Sequence, residues 1–292
     1  MSKIEQALEK AVKMRETMHE TVSETVVAGP SGAPESRAVF NGFEVGDAIV
    51  NKALIDRHLV CITDPFSSVS EQFKKLKARV LNLMPKEDFR KTIMVTSSDI
   101  GEGKSIVSIN LAVALSNELD YTVLLVDTDL RNPSIHRYFG IEPEYGLSDY
   151  LTGRVALNDV LIKTGIGKLI ILPAGNVPDN SAELLSSEKM KMLVHELKHR
   201  YKDRYIIFDS TPLLVTADPL MLGMHMDGVV FVIQEGRTSQ QAALQSMSLM
   251  KGWNVLGVVF NNVPEYLVKG HYQYYYRQNA DKKEVNNHEE SV

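Results

Sequence analysis

The sequence predicts an α/β fold with a mostly parallel central β-sheet and helices on both faces, a three-layer sandwich. Short apolar runs alternate along the chain with longer segments of helical periodicity, which is typical of a parallel sheet. Residues 122–126 and 228–233 are almost continuously apolar, as expected for strands buried on both faces. Two apolar runs end in aspartates, and ligands bind at that end of the strands in an open parallel sheet.

The apolar runs predict six strands, at residues 92–96, 122–127, 169–172, 205–209, 228–233 and 255–260. The segments between them predict helices at residues 104–118, 181–200, 217–224 and 238–251. An amphipathic helix is also predicted at residues 67–83, with Phe73, Leu76, Val80 and Leu83 on one side.

Four regions are expected along the chain. Residues 1–22 form a charged segment, helix-prone over residues 3–20, and residues 23–51 are rich in Gly, Pro, Ser and Glu, which is typical of a flexible linker. Residues 52–263 contain the folded domain. Residues 264–292 carry a cluster of tyrosines followed by polar and charged residues, and this tail is expected to be disordered.

The composition excludes several classes of protein. Of the 292 residues 44% are hydrophobic, which is enough for one large core. The net charge of −5 does not indicate nucleic-acid binding, which usually requires a basic patch. Cys61, the single cysteine, lies in an apolar run and is predicted to be buried, so no disulfide or paired-cysteine metal site is expected. Because no run approaches about 20 apolar residues and no signal peptide is apparent, we expect a cytoplasmic protein that reaches the membrane through a partner.

Residues 96–105 read Thr-Ser-Ser-Asp-Ile-Gly-Glu-Gly-Lys-Ser, between a predicted strand and a predicted helix. Glycines allow backbone N–H groups to converge on an anion, and the helix N-terminus adds positive potential. We expect Lys104 to reach the outer phosphates of a nucleotide and Ser105 to ligate Mg²⁺. Ser98 stands where the full eight-residue motif has its first glycine. The alternative is a glycine-rich turn that only caps a helix.

Acidic residues follow two predicted strands. Asp127 and Asp129 come after the run at residues 122–126, and Asp209 comes after the run at residues 205–208. Mg²⁺ prefers carboxylate, hydroxyl, water and phosphate oxygens. Together with Ser105, these aspartates form a candidate set around one ion bound to ATP. The alternative, that each aspartate caps a turn or helix, explains one of them more readily than all three.

The C-terminal region contains four of the chain's 11 tyrosines within five positions: Tyr272, Tyr274, Tyr275 and Tyr276. An aromatic edge strand is disfavoured, because the residues do not alternate and the flanks are polar. Exposed tyrosines on a mobile tail are able to reach an active site.

These residues resemble those of the bacterial tyrosine kinases, P-loop ATPases related to the cell-division and partition ATPases. The resemblance covers about residues 58–277. The matching stretches are the phosphate loop (Walker A), residues 124–133 (Walker A′), residues 206–212 (Walker B), residues 71–77 (a subunit-contact helix) and the terminal tyrosines. The Walker A′ motif, ending in Arg131-Asn132-Pro133, and the tyrosine cluster are the specific signals.

The resemblance implies roles for individual residues. The expected ATP-binding residues are Ser98, Asp99, Ile100, Gly101, Glu102, Gly103, Lys104, Ser105, Ile106 and, at the adenine, Asn261, for which a turn asparagine is the alternative. The expected metal ligands are Ser105, Asp127 and Asp209. Lys104 would neutralise charge on the phosphates. Asp127 would activate the tyrosine hydroxyl and Asp129 would assist, although the order of these two remains open.

The resemblance also implies partners. The chain is expected to form a ring-like homo-oligomer through Glu71, Lys74 and Lys77, and to autophosphorylate its tyrosine cluster in a neighbouring subunit. A membrane protein of the chain-length-determinant type would activate it, a tyrosine phosphatase would reverse the reaction, and the cycle would regulate polysaccharide export.

This sequence departs from the family pattern at a few positions. Ile100 replaces a usual proline, and Lys74 and Lys77 replace arginines, which keeps the charge but loses the bidentate fork. Asp99 stands where the partition ATPases carry their signature lysine, which disfavours that subgroup. The rival interpretations are a regulatory ATPase without protein kinase activity and a nucleotide-gated scaffold.

Overall fold

The computed structural model describes residues 39–40, 43–44, 50–84, 91–200 and 203–264. The predicted helix at residues 3–20 and the tyrosine cluster therefore lie outside the described residues, and the assignment of those regions remains a prediction. A two-stranded antiparallel hairpin, β1 (Val39–Phe40) and β2 (Phe43–Glu44), lies within the stretch predicted as linker, so that stretch is not irregular throughout.

The central sheet has seven strands. They are β3 (Thr92–Ser97), β4 (Thr122–Asp127), β5 (Ile162–Lys163), β6 (Leu169–Leu172), β7 (Arg204–Asp209), β8 (Gly228–Gln234) and β9 (Val255–Asn261). Their order across the sheet is β5-β6-β4-β7-β3-β8-β9, and β5 alone runs antiparallel to its neighbour. The predicted mostly parallel sheet is confirmed, and all six predicted strands occur. Only the short edge strand β5 was not predicted, because two residues carry no recognisable pattern.

Helices connect and flank these strands. They are α1 (Val60–Thr63), α2 (Ser68–Leu83), α3 (Lys104–Ser116), α4 (Ile135–Tyr138), α5 (Leu147–Leu151), α6 (Ser181–Ser186), α7 (Glu188–Arg200), α8 (Asp218–Gly223) and α9 (Gln240–Leu249). Single 3₁₀ turns occur at Lys52–Leu54 and Leu157–Val160. Within the described residues, no helix combines the length and the apolar character that crossing a bilayer requires.

Two hydrophobic cores lie on opposite faces of the sheet. Side chains alternate along a strand, so Met94 of β3 enters one core while its neighbours Ile93 and Val95 enter the other. The first core contains residues of α6 and α7, and the second contains residues of α2 and α3. This packing explains why the central strands are apolar at nearly every position, as the sequence predicts.

Helix α3, which follows the phosphate loop, is buried on nearly all sides. Its residue Asn110 accepts a hydrogen bond from the N–H of Cys61 (3.0 Å) and donates one to the carbonyl of His58 (3.0 Å). These bonds attach the segment around α1 to α3, and Cys61 is buried as predicted. The helix that begins at the phosphate loop is therefore held rigidly against the sheet and α1.

Two helix predictions need correction. The predicted helix at residues 181–200 is two helices, because Ser187 has extended backbone (φ −63°, ψ 153°) and its hydroxyl accepts the N–H of Met190 as a cap of α7. In α2, Phe73 and Val80 are buried as predicted, but Leu83 is 53% exposed. The next residue, Met84, is buried in its place because the chain leaves the helix there.

Candidate active site

A cavity of about 560 Å³ lies at the carboxyl ends of the central strands. The phosphate loop forms one wall of it, and the loops after β4 and β7 form the others. Neighbouring parallel strands end at the same edge of a sheet, and in β4 and β7 the terminal residues Asp127 and Asp209 are paired in register. The topology therefore brings together three segments that are far apart in the sequence.

The phosphate loop has the shape that its glycines predict. Gly101 (φ +77°) and Gly103 (φ +90°) both have left-handed backbone, which L-residues with a side chain rarely adopt. A Cβ atom on Gly103 would lie 2.0 Å from Nδ2 of Asn261. That amide nitrogen donates a hydrogen bond to the carbonyl of Glu102 (3.0 Å). Asn261 thus braces the loop from the end of β9.

Glu102 anchors the same loop from within. Its carboxylate is buried and accepts hydrogen bonds from the N–H of Asp99 (2.9 Å) and from the hydroxyl of Thr238. The side chain of Glu102 thus fixes the conformation of the loop, and the ATP contact expected of this residue remains a prediction. A buried, hydrogen-bonded carboxylate of this kind stiffens the backbone that would surround the phosphates.

Lys104 is one of the charged residues that line the cavity. Its Nζ lies 2.9 Å from Oδ2 of Asp129 and 3.2 Å from Oγ of Ser105. Burial lowers the pKa of Lys104, but the carboxylates of Asp209 and Asp129 outweigh that effect, so its pKa is raised above the usual value. Lys104 therefore stays protonated at neutral pH, as a ligand for phosphate requires.

Asp209 at the end of β7 is fully buried. Its Oδ1 accepts a hydrogen bond from Oγ of Ser108 (2.8 Å). Its Oδ2 is buried and receives no hydrogen bond of good geometry from the residues that the structure describes, although the nearby hydroxyl of Ser105 acts to lower the pKa of Asp209. Burial raises the pKa of Asp209, and the charge of Lys104 opposes that shift. A buried carboxylate oxygen without a partner is costly, and a cation would relieve that cost.

Asp127 at the end of β4 is also fully buried, and both of its oxygens accept backbone hydrogen bonds. Oδ1 accepts the N–H of Asp129 (3.2 Å), and Oδ2 accepts the N–H groups of Ser134 and Ile135 (3.1 Å each). Burial, followed by the charge of Asp209, raises the pKa of Asp127 to about 7. Asp127 shapes the loop after β4 and does not line the cavity.

Asp129, by contrast, does line the cavity. Its Oδ1 accepts the N–H of Asn132 (3.0 Å) and its Oδ2 contacts Lys104. The two aspartates of the loop after β4 therefore have different positions. Both are buried, but Asp129 borders the cavity and Asp127 does not.

The residues present fit a magnesium ion that is held jointly with a nucleotide. Among the described residues, no group of three or more His, Cys, Asp or Glu side chains forms a ready metal site. The unpartnered Oδ2 of Asp209 and the hydroxyl of Ser105 are the oxygen donors that Mg²⁺ prefers, and phosphate and water oxygens would complete such a set. The sequence also predicts Asp127 as a ligand, but both of its oxygens accept backbone hydrogen bonds here. Ser105 and Asp209 are therefore the members of the predicted set that we retain as candidate ligands.

Comparisons with known proteins show the family of this chain. A family model described as ParA, a NUBPL iron-transfer P-loop NTPase, matches residues 88–289. Tyrosine-protein kinase YwqD of Bacillus subtilis is 34% identical over 209 residues, which cover 71% of this chain and 86% of YwqD. The chain belongs to the bacterial tyrosine kinases. The predicted family, P-loop NTPase fold and protein-tyrosine kinase activity are confirmed.

Solved structures give the same assignment. The kinase domain of Escherichia coli tyrosine kinase ETK matches with a TM-score of 0.65 at 29% identity, covering 70% of this kinase and 80% of that chain. The chimerical protein CapA2B2 matches with a TM-score of 0.66 at 29% identity, covering 76% of this kinase and 96% of that chain.

The kinase has one cysteine, so it has no cysteine pair of the kind that binds iron–sulfur clusters.

A second cavity of about 920 Å³ adjoins the first, on the other side of the phosphate loop. Gly101, Gly103 and Ile106 border both cavities, and Asn261 borders the larger one together with Phe73 and other apolar residues. A partly apolar space next to a phosphate site suits a nucleobase. The adenine contact expected of Asn261 remains a prediction, because its amide here contacts the loop.

The other residues predicted for ATP binding lie at different depths. Ser98 is buried beneath the loop, and Oδ1 of Asp99 accepts the N–H of Ile100 (2.7 Å), which is 58% exposed. None of these three side chains reaches Lys104 in the described contacts. Asp99 therefore supports the loop backbone and Ile100 borders the cavity, whereas Oγ of Ser98 has no hydrogen-bond partner among the described residues. The ATP contacts expected of these three residues remain predictions.

The predicted subunit-contact residues of the kinase lie on α2. Lys74 forms an ion pair with Glu71 on the same helix, and Lys77 forms one with Glu118, which follows α3. The side chain of Lys77 is 20% exposed, so other residues of the same chain already cover most of it and only the remainder is accessible to another subunit. The predicted autophosphorylation sites, Tyr272, Tyr274, Tyr275 and Tyr276, lie outside the described residues.

Sequence reasoning missed two further groups at the site. Arg131 and Asp218 form an ion pair beside the cavity, and Thr238 holds Glu102 from the loop after β8. Arg131 belongs to the Walker A′ stretch, which was a usable signal. Asp218 and Thr238 carry no such signal, because only the fold brings them into contact with Arg131 and Glu102.

Proposed function

We propose that the kinase transfers the γ-phosphoryl group of Mg²⁺-bound ATP to tyrosines in the C-terminal cluster of a neighbouring subunit. One observation carries the proposal: Lys104, Ser105 and Asp129 meet at a cavity beside a glycine loop, with the unpartnered oxygen of Asp209 beneath. Phosphoryl transfer depends mainly on positioning and on neutralising charge, and this arrangement provides both.

Each residue has a proposed role. The backbone of residues 101–105 surrounds the phosphates, and Lys104 neutralises the charge between the β- and γ-phosphates. Ser105 and Asp209 hold Mg²⁺, partly through water. The ion supplies charge neutralisation of the phosphates when it is bound.

For the tyrosine proton, we favour Asp129 as the acceptor. A base must lie within hydrogen-bond reach of the proton, and Asp129 lines the cavity whereas Asp127 does not. A pKa of about 7 would suit a base, which favours Asp127, but position takes precedence over pKa. Asp127 is then the residue that sets the conformation of the loop.

The proposed acceptors are Tyr272, Tyr274, Tyr275 and Tyr276. The subunits would meet through α2, with Glu71, Lys74 and Lys77 at the contact. Four phosphotyrosines add about −6 to −8 charge units, so a phosphorylated tail would be repelled by the phosphates of a bound nucleotide and the oligomer would weaken. Phosphorylation and assembly would therefore oppose each other.

In the cell, this cycle is proposed to regulate polymerisation and export of an extracellular or capsular polysaccharide. A membrane protein of the chain-length-determinant type would recruit the kinase to the inner face of the membrane and activate it. A tyrosine phosphatase would remove the phosphate groups from the tail.

A mixing experiment tests acceptor and geometry together. One full-length variant, Lys104→Met, keeps the tail but has no catalytic lysine; the other replaces the four clustered tyrosines by Phe and keeps the site. Mixed with Mg²⁺ and ATP, they should yield phosphotyrosine on the tail of the Lys104→Met chain, located by mass spectrometry. Each variant alone is the control.

Absence of phosphate on the Lys104→Met chain, while the wild type labels itself, would refute transfer between subunits. Label that persists on the four-Phe variant would refute the acceptor assignment. For the subunit contact, Lys74→Glu should elute later than wild type from a sizing column. Lys75→Glu, an exposed position on the same helix, is the matched control and should elute like wild type.

A further inference from the structure

An arginine at the wall of the cavity is held by a buried carboxylate. Arg131 follows β4 and lines the cavity of about 560 Å³. Its Nε lies 3.0 Å from Oδ2 of Asp218, and its Nη2 lies 3.3 Å from Oδ1. The Asp218 side chain is 0% exposed, whereas that of Arg131 is 48% exposed. Asp218 is thus enclosed by the protein, whereas Arg131 is partly exposed at the wall of the cavity.

The geometry is bidentate. Two parallel N–H···O bonds orient the planar guanidinium as well as attract it, which a lysine ammonium would not do. Within the described part of the chain, Nη1 of Arg131 has no hydrogen-bond partner. The contact with Asp218 also raises the pKa of Arg131, so the group remains charged. An oriented cation with free N–H donors is therefore present beside Lys104 and Asp129.

The two residues come from different loops. Arg131 lies in the loop after β4, two positions beyond Asp129, and Asp218 begins α8 after β7. Asp218 itself reaches neither Lys104 nor the cavity. Any effect it has on the reaction must therefore pass through Arg131.

We propose that Arg131 contacts the phosphoryl group during its transfer and that Asp218 is the positioning residue that orients Arg131 for this contact. In the reaction, the bond from γ-phosphorus to the oxygen of ADP breaks and a bond to the tyrosine oxygen forms. The hydroxyl proton passes to a cavity carboxylate. Negative charge on the three remaining phosphoryl oxygens would be shared between Lys104 and Arg131.

This inference rests on the proposed ATP chemistry of the cavity, but not on which tyrosine accepts the phosphate. It is therefore tested with an added glutamate–tyrosine copolymer as acceptor, in the full-length kinase. The variants are Asp218→Asn, Arg131→Met, Arg131→Lys and the double variant Arg131→Met/Asp218→Asn. Binding of a fluorescent ATP analogue and the melting temperature show whether each variant is folded.

Another ion pair of the molecule provides a matched control. Arg154 is 65% exposed and pairs with Asp149, which is 1% exposed, at a distance of 3.2 Å and outside the lining of the cavity. Arg154→Met removes the exposed half of a similar pair, so its kcat should stay within about two-fold of wild type.

Arg131→Met and Asp218→Asn should each lower kcat about 100-fold, with the KM for ATP changed by less than about three-fold, because the contact is made mainly in the transition state. The double variant should lose about 100-fold and not about 10,000-fold, since both changes remove one contact. Arg131→Lys should lose at least about ten-fold because the fork is absent.

A merely structural pair predicts something else. In that case Asp218→Asn would lower the melting temperature, keep kcat within about three-fold of wild type, and add its effect to that of Arg131→Met. Either the preserved kcat or the additive loss overturns the proposal. Should Asp218→Asn fail to fold, Arg131→Lys decides: a kcat within about three-fold of wild type overturns the proposal, and a loss of ten-fold or more supports it. A wild type that does not phosphorylate the copolymer, although it binds ATP, would instead refute the proposed chemistry.

Discussion

The carboxylates at the two ends of the central sheet differ in their hydrogen-bond and ion-pair partners. At the amino-terminal end, Asp227 precedes β8, and its oxygens accept the N–H (3.0 Å) and hydroxyl (2.7 Å) of Thr92 and contact Nζ of Lys198 (2.8 Å). At the carboxyl-terminal end, Asp209 has one oxygen without a partner among the described residues. Asp127 close to it has a pKa of about 7.

This contrast distinguishes a carboxylate with a structural role, Asp227, from the carboxylates of the candidate site, Asp209 and Asp127. Unpaired buried charge lowers stability, and proteins retain it mainly where a ligand compensates for it. Asp227 joins β3, β8 and α7, and both of its oxygens have partners. Asp209 and Asp127 are strained electrostatically, as a site that awaits a cation and phosphates is expected to be. Replacing the carboxylate by an amide is therefore expected to lower activity at Asp209 and to lower stability at Asp227.

The largest expected effect is on activity. Asp209→Asn should lower the rate of tyrosine phosphorylation by about 100- to 1,000-fold, because it removes the charge that would hold Mg²⁺. Its melting temperature should be no lower than that of wild type, since asparagine can still accept the hydrogen bond of Ser108 without a buried charge. A melting temperature clearly below wild type would contradict the view that Asp209 is electrostatically strained.

The next effect is a pH dependence of stability without nucleotide. The pKa of Asp127 is raised from 3.8 to about 7 in the folded chain, so between these values the folded state binds more protons than the unfolded state. The free energy of unfolding should therefore fall as pH rises from about 4 to about 7 and then level off. Each unit corresponds to about 1.4 kcal/mol, so the total is on the order of a few kcal/mol.

Urea unfolding of wild type and Asp127→Asn at pH 5 and pH 8 measures this dependence. The difference between the free energies of unfolding of the two proteins reports Asp127 together with its effect on Asp209, and the advantage of wild type should be larger at pH 5. Asp227→Asn is the matched control and should keep the wild-type dependence. Equal slopes for wild type and Asp127→Asn would show that Asp127 is not the titrating group.

A smaller effect is expected at the opposite end of the sheet. Asp227→Asn should lower the free energy of unfolding by about 2 kcal/mol, because it weakens hydrogen bonds and an ion pair that involve a partly buried charged group. The kcat for tyrosine phosphorylation should remain within about two-fold of wild type. Loss of activity in a fully folded Asp227→Asn protein would remove the distinction between the two ends.

The smallest effect concerns the phosphate loop. Thr238→Val removes the hydroxyl that donates to Glu102, which should cost about 1 kcal/mol and weaken ATP binding several-fold as the loop loosens. Titration with a fluorescent ATP analogue measures this change. Ser239→Ala, which removes the adjacent cap of α9, is the control and should lower stability while leaving ATP affinity unchanged. Unchanged ATP affinity in Thr238→Val would show that Glu102 maintains the conformation of the phosphate loop without the hydrogen bond from Thr238.

The sequence by itself determined the order of strands and helices along the chain and the chemistry of the phosphate loop. Apolar runs are local patterns, so residues 122–127 and 169–172 are strands with the predicted ends. The predicted helix over residues 181–200 was wrong because one hydroxyl, that of Ser187, decides whether the chain continues or starts a new helix. Such a competition between a cap and a continuous helix is too finely balanced for periodicity to resolve.

Only the tertiary structure decided how the charged residues divide their roles. The spacing of Asp127 and Asp129 is the same whichever one faces the cavity, and the backbone N–H groups of Ser134 and Ile135 draw Asp127 inward. Likewise, Arg131 and Asp218 are 87 residues apart, and their contact exists because β4 and β7 are neighbours in the sheet. Burial and long-range contacts set pKa values and orientations, and neither is a property of a local stretch of sequence.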